Sequence, residues 1–128
     1  ACLSPWTDMT MSGGSIHGLA EADPLVKPIS LEKCADWYMG ESDRSDPLAS
    51  PLLGDLSGLP PLLIQVGSNE ILLDDAARLA TRAEQAGVTV DYQCWPEMFH
   101  VWQLYTPVLS EARDAIDAIG TFLNRHIR

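Results

Sequence analysis

Pro61 to Trp102 reads PLLIQVGSNEILLDDAARLATRAEQAGVTVDYQCWPEMFHVW, and this stretch decides the fold. Leu62–Val66 is a short, almost continuous apolar run, the pattern of a strand buried on both faces of a parallel sheet. Gly67-Ser68-Asn69 closes it, and Glu70 follows. From Ile71 to Ala86, Leu72, Ala76, Leu79, Ala83 and Ala86 recur at alternating steps of four and three, the apolar face of a helix. Asp74 and Asp75 fall in its first turns, where the helix dipole favours negative charge, and Gly87 supplies the stop. Val88 to Trp95 alternates as a strand does. A loop carrying His100 comes next. Strand, helix and strand with short connections make a right-handed βαβ unit on a parallel sheet.

Outward from this unit the chain is more broken. Ala1-Cys2-Leu3 reads as the tail of a strand, stopped by Ser4-Pro5 because a residue before proline is pushed away from helix. A start on the last residues of a strand leads us to expect the C-terminal portion of a longer domain, spanning residues 1–128. Ser12 to Pro28 reads as loop. Ser30 is the expected N-cap of a helix over Leu31–Met39 ended by Gly40, with Leu31, Cys34, Ala35 and Tyr38 on its inner face. Glu41 to Pro60 is punctuated by prolines. Thr106-Pro107 is expected to open a last helix, with Leu109, Ala112, Ile116, Ile119, Leu123 and Ile127 as its buried stripe. There is no internal repeat or low-complexity tract.

Composition narrows the function classes. The chain has 128 residues, enough for one ordinary domain, and 46% of them are hydrophobic. Eight basic against 18 acidic residues give a net charge of -10, which repels phosphate backbones and makes nucleic acid and anionic membranes poor partners. No apolar run approaches the ~20 residues that span a bilayer. The first residues carry no basic stretch leading into an apolar one, the pattern of a secretory leader. Cys2, Cys34 and Cys94 are odd in number and lack a CxxC spacing, so neither a disulfide framework nor a zinc site is expected, and the usage suits the cytoplasm. Cys94, inside a strand, reads as a small buried thiol. No other metal-ligand spacing and no phosphate loop appears.

The chemistry lies in Glu70 and His100. In parallel α/β sheets, ligands bind beyond the carboxyl ends of the strands, and each of these residues directly follows a strand. A histidine acting as general base needs one ring nitrogen free for a nucleophile and the other held by an acceptor. A carboxylate at the next strand end is a natural holder. Singly, each residue reads as a solvated acid or a packed histidine; their order and topology together favour a site. Asp74 is a competing acid, but helix-dipole stabilisation accounts for it. Met98, Phe99, Val101 and Trp102 flank His100 and are candidates for an acyl pocket or for ordinary packing. Trp37 and Tyr38 are candidates for a substrate entrance or, as the expected role, for packing; His17 reads as a solvated loop histidine. His126 joins Arg125 and Arg128 at a helix C-terminus, which favours cations.

The run from Gly58 to Trp102, with SPWTDMT at Ser4–Thr10 and DPLASPL at Asp46–Leu52, resembles the C-terminal region of the hormone-sensitive-lipase-like carboxylesterases of the α/β-hydrolase superfamily. The resemblance covers essentially the whole chain. It implies an α/β-hydrolase fold of parallel strands with flanking helices, incomplete here, and a serine–acid–histidine triad whose acid falls on Glu70 and whose histidine falls on His100. Many members carry aspartate at the acid position. It also implies a small-molecule ester substrate and no cofactor. The family's G-x-S-x-G nucleophile elbow and its Gly-rich oxyanion loop are not in this sequence. Gly13-Gly14-Ser15-Ile16-His17 lacks the closing glycine, and Ser15 reads as a loop residue. The 128 residues alone are therefore expected to be inactive. A serine peptidase of the same superfamily and a non-catalytic binding module remain open. An uncovered edge on the first strand would invite pairing with another copy.

Overall fold

The computed structural model describes residues 1–127; Arg128, named above beside His126, lies outside them. Strand β1 (Cys2–Leu3), helices α1 (Ser15–Gly18) and α2 (Pro28–Met39), strand β2 (Leu62–Gly67), helix α3 (Leu73–Gln85), strand β3 (Val90–Trp95) and helix α4 (Ser110–His126) follow in that order, with 3-10 turns at Pro51–Leu53 and Trp102–Tyr105. The sheet is parallel throughout in the order β1-β2-β3. Ile64 lies beside Cys2 on one side and Tyr92 on the other. Central β2 is the strand that the apolar run demanded: Leu63, Ile64 and Val66 are fully buried.

The two faces of β2 are covered differently. Ile64 and Val66 pack with Ala76, Leu79, Ala80 and Ala83 of α3, joined by Leu52, Leu56 and Val88. On the opposite face Gln65 donates its side-chain amide to the Ala115 carbonyl of α4 and to Gln93, each at 3.0 Å, and accepts from Gln103 at 3.0 Å. A buried amide is tolerated only when bonded, and this one is. Small residues at Ala112 and Ala115 let α4 come that close.

Several local expectations are corrected. Helix α2 begins at Pro28, because proline's fixed φ suits the first helical position, with extended Lys27 as N-cap; Ser30 lies inside the first turn. Only Leu31 and Ala35 face inward, while Cys34 and Tyr38 are exposed. Residues 15–18, expected as loop, form α1. The last helix starts at Ser110, not at Thr106-Pro107. Burial of Trp102 against Ala112 and Ala115 sets its start, and the intervening turn is held by the Leu109 amide donating to the Tyr105 carbonyl. Its buried face is Ala112, Ala115 and Phe122, whereas Ile116, Leu123 and Ile127 are exposed. Cys94 is exposed too, since β3 forms one rim of the sheet and α3 leaves its outer part uncovered. The cysteines are free. Among the described residues no helix is long and apolar enough to cross a membrane.

Acidic side chains tie the N-terminal loops to α3. Asp75, fully buried, accepts the Thr7 and Asp8 amides at 2.8 and 3.0 Å and pairs with Arg78 at 3.0 Å. Asp8, equally buried, accepts Thr10 and Ser12 and meets Arg78 at 3.1 Å. Burial pushes the Asp8 carboxyl up, but the hydrogen bonds from Ser12, Thr10 and Arg78 outweigh it and hold the group below the usual range. A carboxyl lowered in the folded state stabilises the fold above its unfolded pKa, and that contribution is lost as pH falls through the folded value. Asp8→Asn is expected to lower the unfolding free energy at pH 7 by about 2 kcal/mol, with the gap to the parent narrowing as pH falls below about 4, in urea titrations followed by circular dichroism.

Candidate functional site

The three parallel strands end at one edge, and each end delivers a polar residue: Ser4 after β1, Glu70 after β2, His100 after β3. Glu70 has no exposed surface. Its Oε2 accepts the Ser4 hydroxyl at 2.8 Å and the Gly67 amide at 2.9 Å. Its Oε1 faces His100 Nδ1 at 3.4 Å. The imidazole is 23% exposed, so one side of the ring meets the carboxylate while the ring remains reachable. The contact, at 3.4 Å, is at the long end for a hydrogen bond.

Local structure explains why both groups are held. The Ile71 amide, directly after Glu70, donates to Asp23 Oδ2 at 3.0 Å, and Asp23 Oδ1 accepts the Leu25 and Val26 amides. Asp23 thus fastens the turn from β2 into α3. The same turn is clamped by Ser15, whose hydroxyl donates to the Ile71 carbonyl at 2.7 Å and accepts the Asp74 amide at 3.0 Å. Ser15 is therefore a buried clamp on α3 rather than a loop residue. Asp74 accepts the Ser15 amide at 2.8 Å, and Glu70 is the acid that meets the imidazole.

The His100 loop lies directly on the end of β2. Asn69 donates its amide to the Met98 carbonyl at 3.0 Å, Ser68 donates its own to Trp95 at 2.9 Å, and the Ser68 hydroxyl accepts the Glu97 amide at 2.8 Å. A Cβ placed on Gly67 would stand 2.2 Å from the Met98 carbonyl oxygen, so only glycine admits this approach. Glu97 and Val101, at φ 62° and 47°, lie in the left-handed region, uncommon for a non-glycine residue and costly for a β-branched one.

Met98 and Phe99 are partly buried beside an apolar cluster centred on Trp102, which has no exposed surface and reaches the Glu111 carbonyl through its indole N–H at 3.4 Å. Phe99 stacks edge-on against Tyr105 at 5.2 Å. Val101 is half-buried. Trp37 and Tyr38 are 81% and 70% exposed, so their expected packing role is not what the structure has. His17 is exposed on α1, and His126 lies 4.5 Å from Phe122 at the end of α4. Among the described residues no cluster of three or more metal-ligating side chains occurs. An apolar cleft lined by Leu52, Leu53, Ala77 and Thr81 touches neither Glu70 nor His100.

Sequence reasoning missed Ser4, Asp23 and the close approach at Gly67. For Ser4 the signal was present: it ends a strand in a parallel sheet, as Glu70 and His100 do. For Asp23 only the local turn through Leu25 and Val26 was legible, since its bond to the Ile71 amide spans 48 residues; Gly67 gave no signal, since what it touches lies in the His100 loop.

Residues 1–104 match a family model described as alpha/beta hydrolase fold. An acetyl-hydrolase of Streptomyces hygroscopicus is 49% identical over 122 residues, covering 95% of this chain and 41% of that protein. An esterase of Acinetobacter venetianus is 37% identical over 121 residues, covering 94% of this chain and 40% of its own length. Among solved structures, an esterase of the bacterial hormone-sensitive lipase family superposes with a TM-score of 0.97 at 50% identity, over 99% of this chain and 43% of that one. The chain therefore spans about two fifths of the length of the relatives it matches.

Gly67→Ala is expected to lower stability by about 3 kcal/mol, because a methyl group must displace backbone. Gly120→Ala, on α4 with nothing within 4 Å of the added carbon, is expected to raise it by up to about 1 kcal/mol through helix propensity. Denaturant midpoints of the two variants against the parent measure both.

Proposed function

The chain belongs to the α/β-hydrolase fold family, and from that premise we propose that it is part of a single hydrolase domain in a serine-dependent carboxylic ester hydrolase, supplying the acid and the histidine of the triad. The observation that carries this reading is the approach of Glu70 Oε1 to His100 Nδ1 across adjacent parallel strand ends, with the carboxylate buried and the ring reachable. A buried carboxylate facing Nδ1 favours the proton on that nitrogen and leaves Nε2 as the base. Nε2 takes the proton from a serine hydroxyl supplied outside this sequence as that oxygen attacks the ester carbonyl. The imidazolium, stabilised by Glu70, returns the proton to the departing alcohol, and water then hydrolyses the acyl-enzyme by the same route. No step calls for a cofactor. Met98, Phe99 and Val101 form an apolar wall beside the ring for the acyl or alcohol part of a small ester, with Trp102 supporting it from behind. The names of the relatives, an acetyl-hydrolase and esterases, support ester over amide substrates.

In the complete enzyme, His100→Ala is expected to reduce kcat on a short-chain aryl ester by about 10³–10⁴-fold, and Glu70→Gln by about 10²–10⁴-fold with KM nearly unchanged. Near-parental turnover in His100→Ala, or faster turnover of matched amides than of esters, would sink the assignment. The 128-residue chain alone is expected to give no turnover that depends on His100.

A further inference from the structure

We propose that Ser4 is a positioning residue that dictates which imidazole nitrogen of His100 carries the proton; this rests on the reading of Glu70 and His100 given above. Ser4 is buried, and its backbone is fixed by the amide it donates to the Gln65 carbonyl at 2.8 Å. It holds φ 47°, a left-handed conformation that a serine adopts at a cost. What the conformation achieves is visible in the two bonds of its hydroxyl. The oxygen accepts the Val101 amide at 3.0 Å, from the residue directly after His100. The hydroxyl hydrogen goes to Glu70 Oε2 at 2.8 Å.

The direction of these bonds follows from chemistry. An amide N–H only donates and a carboxylate only accepts, so the one hydroxyl proton has a single place to go. With the Ser4 hydroxyl and the Gly67 amide both on Oε2, that oxygen is occupied and Oε1 is the one left for the imidazole. A glutamate side chain has one more torsion than an aspartate, and the two donors on Oε2 restrict the plane of its carboxylate. Ser4 therefore ties the acid and the histidine loop through one oxygen atom and holds Oε1 opposite Nδ1. Removing the hydroxyl leaves one donor on Oε2 and deprives the half-buried Val101 amide of its acceptor. The ring then loses its fixed partner, and the Nε2–H tautomer, which has no free base at Nε2, becomes populated.

Long-range proton–nitrogen correlation spectra of the chain with ¹⁵N-labelled histidine, at a pH where the ring is neutral, read the tautomer directly. The parent is expected to hold the Nδ1–H form. Ser4→Gly, which suits the left-handed conformation and isolates the loss of the hydroxyl, and Ser4→Ala are both expected to cut the Nδ1–H fraction to about half or less. If either variant folds and keeps the parental tautomer, the positioning role is overturned while the Glu70–His100 pairing stands. A parent without the Nδ1–H form overturns the pairing itself. In the complete enzyme the same variants are expected to lower kcat about tenfold with little change in KM; a raised KM with parental kcat would also overturn the role.

Discussion

A carboxylate removed from water must be surrounded by donors, and the whole carboxyl edge of this sheet is built around that requirement at Glu70. The partners come from separate places in the chain: a hydroxyl from the end of β1, an amide from the end of β2, an imidazole nitrogen from the loop after β3. The hydroxyl and the imidazole reach Glu70 only because the three strands lie parallel and in register, whereas the Gly67 amide is local. The crossover through α3 makes β2 and β3 parallel neighbours, and the short β1 brings Ser4 to the same edge. Sheet topology and site chemistry are therefore one constraint.

The same logic recurs beneath the site. Asp8, Asp23 and Asp75, like Glu70, have no exposed surface. Each is bonded to backbone amides of a loop or turn that regular structure leaves unpaired, so each acts as a local substitute for a ladder. Of the 18 acidic residues these four work inside the molecule. The net charge of -10 is thus partly a structural inventory, and reading it only as a surface property, as composition invites, understates what the acids do.

The sequence exposed its periodic parts. The continuous apolar run of β2, the four-three spacing of α3 and the alternation of β3 are local patterns, and the structure has each within two residues of its expected bounds. The placement of Glu70 and His100 at neighbouring strand ends followed from topology alone. What stayed hidden depends on distant partners. Ser4 bonds to groups 66 and 97 residues away, and nothing local marks it except the end of a strand. The start of α4 was misplaced because Thr106-Pro107 is a good local signal that the burial of Trp102 overrides. The inner faces of α2 and α4 were read too wide, since periodicity gives a stripe but not how much of it has a neighbour.

The left-handed residues Ser4, Glu97 and Val101 lie at the end of β1 and in the loop that carries His100, and each stores on the order of 1–3 kcal/mol of backbone strain. Those three positions are where toughness and precision are in competition. Glycine at 97 or 101 would release the strain and resist heat better, yet would widen the range of poses open to the ring. Selection for thermal resistance alone would drift toward that exchange, whereas selection for a fixed ring pose would keep the tense backbone.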